Sequence, residues 1–210
     1  EAELCKLMAN SWRYLEFSIA NQFYLICEER GVDFHRVYKA IRHDYPRAAG
    51  YKAPGFAAGP CLLKDTMQLA SYFDNRFYLG HAAMLVNEGL AAFVAKRVER
   101  ELGDSLWGKA VGLLGMTFKS ENDDTRDSLS FKVKRLLEFA GARVLCADPY
   151  LDWTLPLEQV LRDADALVLA TPHAAYRALE PTVPCVDVWG IVVDSELEVF
   201  QTGRGQEARG

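Results

Sequence analysis

The chain has 210 residues, room for one large domain or two small ones at roughly 150 residues per domain. It is 50% hydrophobic and 25% charged, ordinary globular usage that excludes a fibre or a disordered chain. A net charge of −5 leaves no basic footprint for nucleic acid, and no run approaches the ~20 apolar residues of a membrane span.

The sequence opens at Glu1 with neither a methionine nor a secretory leader. Residues 2–30 contain no proline or glycine, which predicts one long helix. Its apolar residues, among them Trp12, Tyr14, Phe17, Ile19, Phe23 and Ile26, point all round the barrel. A helix apolar on every side must be covered on every side. Either it is the centre of one larger core or, as expected here, a partner subunit packs against it in a homodimer. Asp33 is placed to cap a second helix running to His43. A loop rich in Pro, Gly and Ala follows to Pro60, then helices over Cys61–Phe77 and Gly80–Leu102, and a linker over Gly103–Lys109.

Beyond Gly108 the period changes. Short apolar runs at Ala110–Leu114, Arg143–Cys146, Ala166–Ala170 and Cys185–Val188 alternate with helical patterns at Ser128–Ala140, Pro156–Arg162 and His173–Leu179. That alternation predicts βαβ units and a parallel sheet. The expected architecture is thus α plus α/β, with a helical dimerisation domain over 1–107, an α/β domain over 108–202 and a flexible tail over 203–210. The charge is divided unevenly: 13 Lys+Arg against 13 Asp+Glu up to residue 107, but 11 against 16 after it.

Five scattered cysteines show no zinc spacing; four read as small buried hydrophobes in a reducing cytosol, and no metal is expected. Cys61 differs. It begins a helix behind the run Pro54-Gly-Phe-Ala-Ala-Gly-Pro60, where unpaired N–H groups and the positive dipole end favour a thiolate. Lys64 and Asp65 follow at i+3 and i+4, a cation and a carboxylate on the same face. An inert cysteine tucked under a loop stays open beside the nucleophile. Lys6 and Asn10 form a second polar pair at i, i+4 in the long helix. The loop Gly112 to Ser128 after the first strand is not G-x-G-x-x-G, yet it is long and lies where α/β sheets bind ligands. Its Lys119 and Arg126 suit one localised phosphate group, or else belong to a self-neutralising surface loop. His173 follows a strand end and reads as a solvated helix start.

These runs occur in a familiar order: Lys6 to Asn10, then Gly59-Pro-Cys61-Leu-Leu-Lys64-Asp65, then Gly115-Met-Thr-Phe118-Lys119 through Asp123-Asp124-Thr-Arg126, then Asp148-Pro149-Tyr150. Together they resemble the UDP-glucose/GDP-mannose 6-dehydrogenase family from its central helix to its C-terminus. The resemblance implies a Rossmann-like second domain, a dimer through the long helix, and NAD-dependent oxidation of a nucleotide-sugar C6 alcohol to a uronate using two NAD. It implies that Cys61 captures the aldehyde as a thiohemiacetal and carries it to a thioester, that Lys6 and Asn10 stabilise the oxyanion and position water, and that Asp65 handles protons. Arg47, Tyr51, Lys64, Phe118 and Lys119 then correspond to substrate contacts, and Arg126 to a cofactor-phosphate contact. Family members begin with an NAD-binding domain for which no counterpart is found in these residues, so the expectation is a fragment that is inactive by itself. The alternative is a non-catalytic module that dimerises and binds a sugar nucleotide. Ala58 and Leu63 stand where the family commonly has Gly and Pro, and Trp189 where many members have Arg, so the nucleotide preference is not carried over.

Overall fold

The structure, a computed structural model, describes residues 1–192; the expected tail over 203–210 lies outside the described residues. The chain gathers into two compact units. Among the described residues, 1–57 and 61–87 make the first, and 58–60 with 88–192 make the second.

The first unit is built on α1 (Ala2–Glu29), a helix of 28 residues that runs about 42 Å at 1.5 Å per residue. Leu7, Ser11, Tyr14, Ser18, Asn21, Tyr24 and Glu28 recur every three or four positions and form its buried stripe. This stripe packs against α3 (Leu62–Tyr72), where Tyr14, Ala57, Leu62 and Ala83 form a small core with Leu15, Phe17, Leu63 and Met84 laid on it. A second stripe, Met8, Trp12, Ile19, Phe23 and Ile26, is exposed. The helix is therefore apolar all round, as expected, but within one chain it is covered on one side. Asp33 caps α2 (Phe34–Arg42) as predicted, its carboxylate accepting the His35 and Arg36 backbone N–H at 2.8 and 3.1 Å. Helix α3 stops five residues short of the expected Phe77. Asp74 and Asn75 take left-handed φ values of 50° and 57°, which end the helix before α4 (Tyr78–Glu101) begins.

The second unit carries the predicted parallel sheet: β1 (Ala110–Leu114), β2 (Arg143–Ala147), β3 (Ala166–Leu169) and β4 (Cys185–Asp187), in the order β2-β1-β3-β4. Every residue of β1, β3 and β4 is buried, as parallel strands covered on both faces require. Helices α5 (Ser130–Phe139) and α6 (Leu157–Asp163) make the crossovers. The chain leaves β1 toward β2 and returns on the other side to β3, so the sheet's switch point lies beside the carboxyl end of β1, with Leu114 in register with both Ala147 and Leu169. The helix expected over His173–Leu179 is a single 3-10 turn, Ala174–Tyr176, in a stretch bounded by Pro172 and Pro181.

Cys146 and Cys185 are buried in the sheet and burial raises both thiols, Cys146 to about 11. Cys27 is half-buried. Cys5 is exposed, contrary to expectation, because it lies off the buried stripe of α1. Among the described residues no helix is long and apolar enough to cross a membrane.

Candidate functional site

In the first unit, α1 and α3 bring Lys6, Asn10, Lys64 and Asp65 together. Asp65 is fully buried, and its Oδ2 accepts a 2.6 Å hydrogen bond from Asn10 Nδ2 and lies 3.5 Å from Lys6 Nζ. Its Oδ1 accepts no hydrogen bond and lies 3.9 Å from Lys64 Nζ. Two cations and an amide thus balance a carboxylate taken out of water, the condition under which such a burial is tolerated. The i, i+4 spacing of Lys6 and Asn10 is what lets one carboxylate meet both. Cys61 is the exposed N-cap residue of α3, and its carbonyl accepts the Asp65 N–H at 2.8 Å. One helical turn therefore separates the thiol from the carboxylate. Asp65 turns inward while Cys61 and Lys64 stay at the surface, and Lys64 pairs with Asp65.

The loop leading to Cys61 is fixed by residues that motif reading passed over. Asn21, buried in mid-α1, clasps the Gly55 backbone: its Oδ1 accepts Gly55 N–H at 2.8 Å and its Nδ2 donates to the Gly55 carbonyl at 3.0 Å. The same Nδ2 donates to Asn87 Oδ1 at 2.9 Å, and Asn87 Nδ2 donates to the Tyr14 carbonyl at 3.0 Å. An asparagine inside an apolar helix, with no acidic neighbour to explain it, was the available signal. Arg47 is exposed on the 3-10 turn Pro46–Ala48, and Tyr51 lies apart from the Asp65 cluster, between Phe23 and Tyr38 at ring distances of 6.2 and 5.7 Å. Burial pushes the Tyr51 hydroxyl up to about 12, with Cys27 and Tyr38 adding to it.

The second unit places Phe118, Lys119 and Arg126 on the long loop after β1. Phe118 packs over Gly59, where an added Cβ would come within 2.6 Å of the ring and where φ is +100°. Lys119 Nζ stands 5.4 Å from the centre of that ring. Arg126 is held by Asp124 through Nε and Nη2, the latter at 2.6 Å, and this guanidinium keeps the Asp124 carboxyl down at about 2. The Arg126 charge is thus paired locally with Asp124.

At the switch point, His173 is fully buried rather than a solvated helix start. Its Nδ1 accepts the Glu121 N–H at 3.1 Å, and its Nε2 lies 3.2 Å from both Asp148 Oδ2 and Thr117 Oγ1. Asp148, just past β2, also accepts the Met116, Thr117 and Tyr150 N–H groups at 2.6, 3.2 and 2.9 Å. Burial by itself would raise Asp148; His173 and these N–H donors more than offset it and hold the carboxyl below its ordinary range. Glu121 returns to the sheet, accepting from Ala174 N–H at 2.7 Å and from the Tyr150 hydroxyl, whose bond lowers the Glu121 carboxyl. Gly115, with φ +94°, lets the loop pass Thr171, whose Cβ an added methyl would approach to 2.4 Å.

Comparison with known proteins agrees with this layout. Residues 1–88 match the model of the UDP-glucose/GDP-mannose dehydrogenase family, central domain, and residues 112–194 match the UDP binding domain of the same family. A UDP-N-acetyl-D-mannosamine dehydrogenase of Pyrococcus horikoshii is 33% identical over 185 residues, which cover 85% of this chain and 43% of that protein. A UDP-glucose 6-dehydrogenase of Rhizobium meliloti is 29% identical over 195 residues, covering 85% and 44%. Among solved structures, a UDP-glucose dehydrogenase from Pyrobaculum islandicum superimposes with a TM-score of 0.80 at 29% identity, covering 91% of this chain and 48% of that one. The chain spans less than half the length of the curated relatives it matches. With both domain models matched in order and the fold shared, the chain belongs to the UDP-glucose/GDP-mannose dehydrogenase family.

Proposed function

We propose that the chain supplies the nucleotide-sugar site and the reactive thiol of an NAD-dependent dehydrogenase that oxidises the C6 alcohol of a UDP- or GDP-sugar to the uronate. The carrying observation is the buried Asp65, tied to Asn10 and Lys6 of α1 one helical turn from the exposed Cys61. In this reading the Cys61 sulfur adds to the C6 aldehyde, and the carbonyl oxygen becomes an oxyanion. Lys6 and Asn10 each keep N–H donors beyond those turned to Asp65, and these are assigned to the developing charge. When water later cleaves the thioester, Asp65 Oδ1, which accepts no hydrogen bond, takes its proton, Cys61 leaves as the thiolate, and the proton returns from Asp65 to the sulfur to regenerate the thiol. Arg47, Tyr51, Lys64, Phe118 and Lys119 are assigned to the nucleotide sugar.

The oxidations need a hydride acceptor, which is NAD in this family. The described residues do not fit as its cradle. The turn after β1 offers one glycine before Met116 and Thr117, and the acceptor positions of Asp148 are filled by three backbone N–H groups and His173. Only Arg126 is assigned to the cofactor, as a cation for a phosphate. On this reading the described residues bind the nucleotide sugar and supply the thiol rather than the NAD cradle. The exposed stripe Met8, Trp12, Ile19, Phe23 and Ile26 is assigned to a homodimer, and the five free cysteines support a reducing, cytoplasmic setting.

The thiol is tested by Cys61→Ser in an enzyme that joins this chain to a cofactor-binding domain. Uronate formation is expected to fall at least about a thousandfold, as loss of a nucleophile does. Nucleotide-sugar affinity should stay unchanged. Uronate production at the parent rate would refute the thioester role.

A further inference from the structure

A backbone N–H can only donate, so the Glu121 N–H at 3.1 Å fixes His173 Nδ1 as an acceptor. The imidazole is then neutral with its proton on Nε2, directed at Asp148 Oδ2 and Thr117 Oγ1. We propose that His173 is the positioning residue of the nucleotide-sugar loop: in this tautomer it locks the segment from Met116 to Glu121, and its protonation unlocks it. The proposal rests on assigning Phe118 and Lys119 to the nucleotide sugar, since these residues lie inside the locked segment.

The groups around His173 define both states. From the end of β2 come Asp148 and Tyr150, whose ring lies 5.0 Å away; from the loop come Thr117 and Glu121; from the turn after β3 comes Tyr176 at 5.5 Å, with Arg177 acting on Glu121. A proton arriving on Nδ1 faces the Glu121 N–H, donor against donor. The nearest acceptor for it is the Glu121 carboxylate, with Oε1 3.8 Å away. That same carboxylate now receives the Ala174 N–H and the Tyr150 hydroxyl. Turning it to the imidazolium exchanges three loop anchors for one ion pair. The Thr171 and Ser128 hydroxyls, which donate to the Thr117 carbonyl, hold the near end of the loop in either state. Phe118 and Lys119 thus stay attached but lose their fixed geometry.

The test uses this 210-residue chain with UDP-glucose, whose diphosphate diester does not titrate near neutrality, and calorimetry from about pH 8 to about pH 5.5. The parent chain should lose about tenfold in affinity over that range. The midpoint should coincide with the His173 titration in long-range 1H–15N spectra, which should also show the neutral proton on Nε2. His173→Gln, whose amide can accept and donate in the same two directions, should bind within about threefold of the parent at the upper pH and lose the acid limb. His173→Phe should bind at least about tenfold more weakly throughout. An acid limb that persists in His173→Gln, a neutral proton on Nδ1, or parent-like binding by His173→Phe would overturn the proposal. Should His173→Phe not fold, His173→Gln decides alone. If the parent binds no UDP-glucose at any pH, the assigned function fails; faster Glu121 amide exchange as His173 titrates would still support the lock, and unchanged exchange would remove it.

Discussion

At the scale of single residues the molecule is organised by two buried carboxylates that do opposite work. Asp65 has one oxygen committed to Asn10 and Lys6 and one that accepts no hydrogen bond and lies 3.9 Å from Lys64 Nζ. Asp148 has no such oxygen: three backbone N–H groups and an imidazole occupy it. Its folded pKa lies below that of an unfolded aspartate, about 3.9. Its stabilising contribution is therefore fully present above about pH 4 and is lost as pH falls through the lower folded value. Asp148→Asn keeps the volume but turns one acceptor into a donor facing donors. It should cost about 2–4 kcal/mol at pH 7, read by urea unfolding of the second unit. The variant should also show a flatter loss of stability between pH 5 and pH 3 than the parent, within the carboxylate titration range. An equal acid slope in the two proteins would remove Asp148 as the source of that dependence.

At the scale of elements, what was legible in the sequence followed from local chemistry. The boundaries of β1 fall at Ala110 and Leu114 as expected, because an apolar run between Gly108 and Gly115 admits only a short buried strand. The Asp33 cap was readable for the same reason: donors and acceptor lie two and three residues apart. The overlong α3 and the unformed helix after His173 failed where backbone twist or an inward side chain overrode propensity: left-handed Asp74 and Asn75 in one case, a buried His173 in the other. Of the site, the Lys6/Asn10 and Lys64/Asp65 pairs could be named because each is local, whereas the bond that unites them spans 55 residues. The Asn21–Asn87 bond spans 66 residues and His173–Asp148 spans 25, and no local pattern encodes either. One glycine tests this at the level of a whole loop. In Gly115→Ala the new methyl meets Thr171 at 2.4 Å and its backbone nitrogen at 2.7 Å, at a φ of +94° that alanine adopts only under strain. Expected is a loss of at least ~2 kcal/mol of stability, together with UDP-glucose affinity, because the loop to Lys119 starts from this residue. Gly103→Ala, at φ +86° but with open space around it, provides the comparison and should cost only the conformational part, about 1 kcal/mol. Equal losses in the two variants would mean that close approach to Thr171 does not shape the loop.

At the scale of the whole molecule the unbalanced feature is α1. Its buried stripe is partly polar, with Ser11, Ser18, Asn21 and Glu28, whereas its uncovered stripe is Met8, Trp12, Ile19, Phe23 and Ile26. A helix facing water outward would carry these in reverse. The exposed stripe also runs into an apolar groove of about 440 Å³ lined by Leu4, Met8, Trp12, Leu69, Tyr72 and Phe73. This surface is the one assigned above to the homodimer. Covering it in a two-fold pair removes both copies of the stripe from water, at ~25 cal/mol per Å² of apolar area. The parent chain should therefore sediment as a dimer at about 10 μM, since a specific homodimer of this kind is expected to hold at micromolar concentrations. Ile19→Lys with Phe23→Lys should give a monomer with unchanged helical circular dichroism, because both side chains are about half exposed within one chain and little intrachain packing is lost. Sedimentation of the parent as a monomer at that concentration would contradict the assignment of the stripe. A lysine pair that unfolds the protein instead would place Ile19 and Phe23 in the chain's own core, so the two outcomes separate a dimer surface from a buried face.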